Sequence, residues 1–211
     1  MTNTILTTGT PALQGLCDGF ADITHQSQQV FRSVLAAMAE PGTVHGVGSQ
    51  KAPAPLSAAA YQVCLALLDQ ETPLWLHPEL ASAAALNSLR FHCGCVLTDR
   101  PEVAAFALTT VTDAPPLVRF QQGSVEYPDR SATVVVEVLS LAGGAGEGRG
   151  LVLSGPGIRD ERRVQIGGFD EAFARQLSDN HRRFPCGVDL ILTSDDQLMA
   201  LPRTTRVVLD A

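Results

Sequence analysis

Apolar residues recur along this chain at helical spacing in some stretches and as short continuous runs in others, and the alternation of the two predicts a layered fold. Phe31, Val34, Leu35 and Met38 fall at i, i+3, i+4 and i+7, with Gln26, Gln28, Gln29, Arg32 and Ser33 mostly off that stripe, so residues 22–40 are expected to form an amphipathic helix. Pro41-Gly42 stops it, because proline cannot continue the ladder and glycine takes a left-handed turn. Residues 43–56 read as a loop or short hairpin, and Ser57 reads as the cap of a helix reaching about Asp69, with Tyr61, Leu65 and Leu68 on one face. A short strand over 73–78, an Ala-rich helix over 79–89 and a buried strand near 96–99 follow. Residues 102–108, after Pro101, read as a short helix. Residues 117–120 and 124–127 read as two strands around a turn.

The run Thr133-Val134-Val135-Val136-Glu137-Val138-Leu139 is the strongest β-branched segment and is expected to be a central strand. After the glycine-rich stretch 143–150, read as a flexible hairpin linker, come strands at 151–153 and 164–166, a helix over 170–182 and a strand over 188–192. Asp195, Asp196 and Gln197 read as a hairpin turn. Alternating strands and helices with a hairpin-like middle predict an α/β fold, a mixed sheet flanked by helices.

Composition narrows the class of protein. With 211 residues the chain is expected to form a single domain over 1–211, its residues 1–20 a loosely held arm. Charged residues make up 18%, below the ~25% typical of soluble domains, which favours an oligomer or a complex subunit with apolar patches covered by partners. A net charge of -7 without any basic cluster argues against nucleic acid as a partner. No apolar run approaches the ~18 residues of a membrane span and no secretion signal is read at the N-terminus, so a soluble, cytoplasmic protein is expected. Five cysteines without such a signal are expected to be reduced thiols, with Cys64, Cys93 and Cys95 packed in the core and no metal site.

Candidate chemistry gathers between 151 and 207. Gly155 and Gly157 flank Pro156 in a turn that reads either as a backbone cradle for an anion or as a strand end needing unusual dihedrals; Pro156 lacks an N–H and weakens the cradle. Arg203 and Arg206 read as anion ligands or as solvated side chains, and in a regular strand they would point to opposite faces. Arg32 has the same two readings. The glycine-rich stretch 143–150 lacks the Gly-Lys-Ser/Thr ending of a P-loop, and no Ser/His/Asp or Cys/His arrangement emerges from spacing.

Five segments in order carry a resemblance: Phe31-Arg32-Ser33-Val34-Leu35-Ala36-Ala37-Met38 with Pro41-Gly42, Glu126 to Thr133, Leu153-Ser154-Gly155-Pro156-Gly157-Ile158, Asn180 with Phe184 to Leu192, and Leu201 to Val207. Together they resemble the H subunit family of the bacterial carbon-phosphorus lyase core complex. The resemblance implies the fold of the large domain of pyridoxal-phosphate transferases without the cofactor, which agrees with Lys51 being the sole lysine and lying in a loop. It implies a non-autonomous subunit in phosphonate breakdown, acting with G, I and L partners on MgATP and an alkylphosphonate to give a ribose 1-alkylphosphonate 5-triphosphate. Partners among the core subunits of G, I and J types, and a homodimer in isolation, are implied as well. A stand-alone nucleotide- or phosphonate-binding protein and a non-catalytic scaffold are the alternatives. Arg32, Gly155, Gly157, Arg203 and Arg206 are candidate anion or interface positions, and catalytic residues are left unassigned. Where the family pattern often has a basic residue before Gly187, this chain has Cys186.

Overall fold

A computed structural model describes residues 15–143 and 148–210. In chain order its elements are α1 (Ile23–Ala39), β1 (His45–Gly46), α2 (Ala58–Leu67), β2 (Leu74–Leu76), α3 (Ala83–Cys93), β3 (Leu97–Thr98), β4 (Phe106–Thr110), β5 (Thr133–Glu137), β6 (Ser140–Gly143), β7 (Arg149–Ser154), β8 (Arg162–Gly167), α4 (Glu171–Arg182), β9 (Asp189–Ser194), β10 (Gln197–Leu201) and β11 (Arg206–Leu209). Each helix starts where a short polar side chain accepts one of its free N–H groups. Asp22 accepts from His25 N, Ser57 from Ala60 N, Ser82 from Ala85 N and Asp170 from Phe173 N.

Two sheets form. The larger runs β1-β10-β9-β5-β4-β2-β3, with β2, β3, β4, β5 and β9 parallel and the β9/β10/β1 edge antiparallel. The smaller is antiparallel, in the order β11-β7-β8-β6. Period-two alternation divides the strands of the large sheet between two cores. Leu74, Leu108, Val135, Ile191, Leu198 and Ala200 pack with α1, α2 and α3. Ala107, Val134, Val136, Leu190, Leu192, Met199 and Leu201 face α4 and the small sheet, represented by Leu151, Leu153, Val164 and Ile166. Full burial of each such large aliphatic side chain stabilises the fold by about 1.5–3 kcal/mol.

The mixed sheet between helices and the central placement of β5 agree with the sequence reading, and the small second sheet was absent from it. Several local expectations are corrected. The stripe that α1 buries is Val30, Val34 and Ala37, with Met38 packed beside it; of the expected residues Val34 and Met38 face the core, whereas Phe31 and Leu35 are 50% and 56% exposed. Helix α3 starts after a 3-10 turn at Pro78–Leu80 and runs on to a left-handed Gly94. Residues 102–108 are no helix: Pro101–Val103 form one 3-10 turn and β4 begins at Phe106. The β-branched Thr109, Thr110 and Val111 after it, and pairing to both β2 and β5, outweigh the helical start given by Pro101.

Residues 117–127 are not paired strands either. Leu117–Arg119 is a 3-10 turn, and the Gln122 amide donates to the Leu117 and Phe120 carbonyls at 2.9 Å each, folding the segment on itself. The connection over 143–150 is not a hairpin, because β8 lies between β6 and β7; its residues 144–147 fall outside the described ones. Residues 1–14 of the expected loose arm also fall outside, whereas Cys17 lies against α3, its N–H donating to Ser88 Oγ at 2.9 Å and its carbonyl bonded to His92 Nε2 at 2.8 Å. Among the described residues no helix is long and apolar enough to cross a membrane.

Candidate functional site

Three of the segments singled out in the sequence, 126–133, 180–192 and 201–207, meet at the amino ends of β5 and β9, around Arg203. Its guanidinium has five N–H donors, and the contacts engage all of them. Nε donates to Asp189 Oδ1 at 3.1 Å and Nη2 to Asp189 Oδ2 and Ser131 Oγ, while Nη1 donates to the carbonyls of Pro128 at 2.7 Å and Pro185 at 3.4 Å. The backbone N–H of Arg203 adds a bond to Asp189 Oδ1 at 2.8 Å. The arginine side chain is only 12% exposed, so this is a bidentate, largely desolvated pair joined to two separate loops, 128–131 and the one holding Pro185.

Nearby, Asn180 is buried and holds the start of β9 through both ends of its amide, to Val188 N–H at 2.9 Å and Val188 carbonyl at 2.8 Å. Gly187 must lack a side chain there: its φ is +119°, and a Cβ would lie 2.8 Å from Asn180 Oδ1. Cys186 is half-buried in this loop.

The glycine turn and the arginine segment do lie together. Ser154 pairs with Arg206 across β7 and β11, and a Cβ on Gly155 would sit 2.9 Å from the Thr204 carbonyl. Gly157 is closed off differently. At φ +81° it packs so tightly on the end of α1 that a Cβ would fall 2.0 Å from the Ala39 carbonyl. Arg162 fixes the same joint, donating from Nη1 to the carbonyls of Glu40 at 3.1 Å and Pro41 at 2.5 Å. The turn thus joins the helical layer to the small sheet.

Arg206 points outward, as alternation along β11 requires. It lies exposed at a groove of about 440 Å³ between α4 and β11, beside Arg175, His181 and Arg182. Arg175 is paired with Glu171 at 2.6 Å and Arg182 with Asp179 at 2.8 Å, whereas Arg206 enters no ion pair among the described residues. Arg32 is exposed on α1, seven residues before Ala39, or about 10 Å along the axis at ~1.5 Å per residue, and is not brought to Arg203. Lys51 is exposed in the loop before α2.

Sequence reading missed a crevice at the opposite end of the parallel strands, the edge where open α/β sheets bind ligands. It measures about 550 Å³ and is lined by Ser57, Glu79, Thr110, Glu137, Ser194 and Asp195, among others. Glu137 Oε1 accepts the Ser57 N–H at 2.7 Å and Oε2 accepts from Thr193 Oγ1 at 3.3 Å. Burial raises its pKa above the ordinary 4.5, against the lowering effect of those hydrogen bonds. The available signal was a single carboxylate within an otherwise apolar β-branched run. Close by, buried His77 lies 3.4 Å from Asp113.

The thiols are free. Cys64 and Cys95 are buried and Cys93 half-buried, and burial holds the Cys64 thiol well above its usual range. Among the described residues no group of three or more His, Cys, Asp or Glu side chains is arranged to hold a metal ion.

Comparison with known proteins adds a family to this geometry. The model of a family described as bacterial phosphonate metabolism protein (PhnH) matches residues 18–208. The chain is 38% identical over 190 residues to the alpha-D-ribose 1-methylphosphonate 5-triphosphate synthase subunit PhnH of Rhizobium meliloti (strain 1021), covering 89% of this chain and 93% of that one. It is 33% identical over 185 residues to a protein of Stutzerimonas stutzeri provisionally named C-P lyase subunit protein HtxG, covering 86% of each.

Proposed function

The chain belongs to the PhnH family of bacterial phosphonate metabolism proteins, and from that premise we propose that it works as a non-autonomous subunit of a phosphonate-activating complex. In this reading it acts with other carbon-phosphorus lyase core subunits, of the G, I and J types, in forming a ribose 1-alkylphosphonate 5-triphosphate from MgATP and an alkylphosphonate. The chain binds no cofactor of its own and MgATP enters as a substrate of the complex. A fold similar to the large domain of pyridoxal-phosphate transferases but without the cofactor, a cytoplasmic location and a homodimer in isolation belong to the same proposal. The observation that carries it is the 38% identity to a named synthase subunit across 93% of that protein.

Its test is co-purification of the tagged full-length chain from cells grown on a phosphonate. Recovery with the other core subunits is expected; recovery of the chain alone, under conditions that preserve the complex, overturns the proposal.

A scaffold role is the second reading, and the saturated Arg203 favours it, because all of that side chain's donors serve the fold. An Arg206→Ala chain separates the two. Unchanged assembly with unchanged turnover supports the scaffold, and loss of turnover with assembly intact supports a contribution to the chemistry.

A further inference from the structure

Arg203 clamps a loop that forms one wall of a separate concavity, about 400 Å³ in volume, lined by Glu102, Arg119, Gln121, Ser124, Tyr127 and Arg130 among others. Neither of its two guanidinium groups, Arg119 and Arg130, enters a close ion pair among the described residues. The one carboxylate in the lining, Glu102, is bonded at 2.9 Å to Arg100; that hydrogen bond is the main cause of its lowered pKa, and the Arg119 charge lowers it further through space. Glu126 and Asp129 lie on the same loop but not in the lining. The concavity therefore carries two guanidinium groups against one carboxylate, and that carboxylate is already bonded to Arg100.

Arg130 and the loop that carries it are held in place. Arg130 lies over the Tyr127 ring with its central carbon 4.1 Å from the centroid, a stack that uses the face of the guanidinium and leaves its N–H edge free to donate. Tyr127 is tied to Ser124 by bonds in both directions, Ser124 N–H to the Tyr127 carbonyl at 3.1 Å and Tyr127 N–H to Ser124 Oγ at 3.0 Å. Ser124 Oγ accepts in that pair and keeps its own O–H as a donor. The next residue, Pro128, is pinned through its carbonyl by Arg203 at 2.7 Å.

We propose that this concavity binds a phosphoryl or phosphonyl dianion, with Arg119 and Arg130 as its charged ligands and the Ser124 hydroxyl as a third donor. An anion carrying two or three tetrahedrally arranged oxygens matches a guanidinium fork better than any neutral ligand does. The proposal rests on the reading above only for the choice of anions, since phosphate esters and phosphonates share this group.

The test is calorimetric titration of the full-length chain at low salt with methylphosphonate, inorganic phosphate and ATP in separate arms. Saturable binding by at least one is expected, weakened on the order of tenfold or more in both Arg119→Ala and Arg130→Ala. Arg130→Lys keeps the charge and loses the fork, and is expected to fall between wild type and Arg130→Ala. Binding of ATP alone identifies a nucleotide as the source of the group; binding of all three identifies the free dianion. Absence of saturable binding in every arm overturns the proposal, as do alanine variants that bind like wild type. Because complex membership is read by co-purification, failure here leaves that reading standing, and the two failures are distinct.

Discussion

β5 and β9 run side by side from Thr133 opposite Asp189 to Glu137 opposite Thr193, and the fold treats a charged group differently at the two ends. At the amino end the Arg203 cation meets a bidentate carboxylate, two carbonyls and a hydroxyl, with no donor left over. At the carboxyl end the Glu137 carboxyl meets one backbone N–H and one hydroxyl, and it faces a crevice. The first group is matched charge for charge, so it acts as a fixed fastener. The second is held by dipoles alone, so its charge state responds to pH. A buried ionisable side chain is thus structural or adjustable according to whether its partners supply the opposite charge.

The largest effect expected from breaking this contrast is at the matched end. Arg203→Ala leaves Asp189 unpaired inside the fold and should cost about 3–5 kcal/mol in urea unfolding; a loss below about 1 kcal/mol would show that the clamp is not the fastener inferred. Arg203→Lys retains charge without the fork and should recover only part of that loss.

At the other end the sign follows from the raised pKa of Glu137. Between the ordinary value of 4.5 and the higher folded value, the native state holds more protons than the unfolded chain, so this residue's contribution is fully present below 4.5 and is lost as pH rises through the folded value. Glu137→Gln mimics the protonated form. Its stability measured by urea unfolding from pH 4.5 to 8 should fall less with pH than that of wild type, and parallel curves would refute the assignment. Arg206→Ala, three residues from the clamp but solvent-exposed, should change stability by no more than about 0.5 kcal/mol; a loss comparable to that at Arg203 would erase the difference between the two arginines.

Much of the layer structure was legible because it rests on local pattern. The valine run 134–136, the Ser57 cap and the Asp195-Asp196 turn act within a few residues of themselves. Helix α1 was found with Val34 and Met38 on its inner face, but Phe31 and Leu35 were misplaced there, since Val30 and Phe31 differ little in hydrophobicity and only packing against the sheet decides which turns inward. Strand β4 was lost to a proline that favours a helical start, an effect overridden by pairing with strands more than twenty residues away on either side.

The candidate residues were legible as types and not as roles. Arg203 was visible as a cation, yet its partners stand 14 to 75 residues away, and no spacing reports them. Gly157 was visible as a turn residue, and its contact with Ala39 arises only when α1 meets the small sheet. The Arg130 stack on Tyr127 lies within the segment Glu126 to Thr133, which the sequence offered only as part of a family resemblance.

The Arg203 clamp also has a consequence in time. Its partners come from both sides of a long excursion, because β6, β7, β8 and α4 all lie between β5 and β9 in the chain. The contacts close only once that excursion has returned, which makes them late arrivals on any route to the native state. Losing them is expected to leave the refolding limb of a chevron nearly unchanged and to raise the unfolding limb by almost the whole destabilisation. A slower refolding limb in Arg203→Ala would instead make the clamp an early contact. With late closure, this one arginine sets how long the native state persists and has little say in how fast it forms.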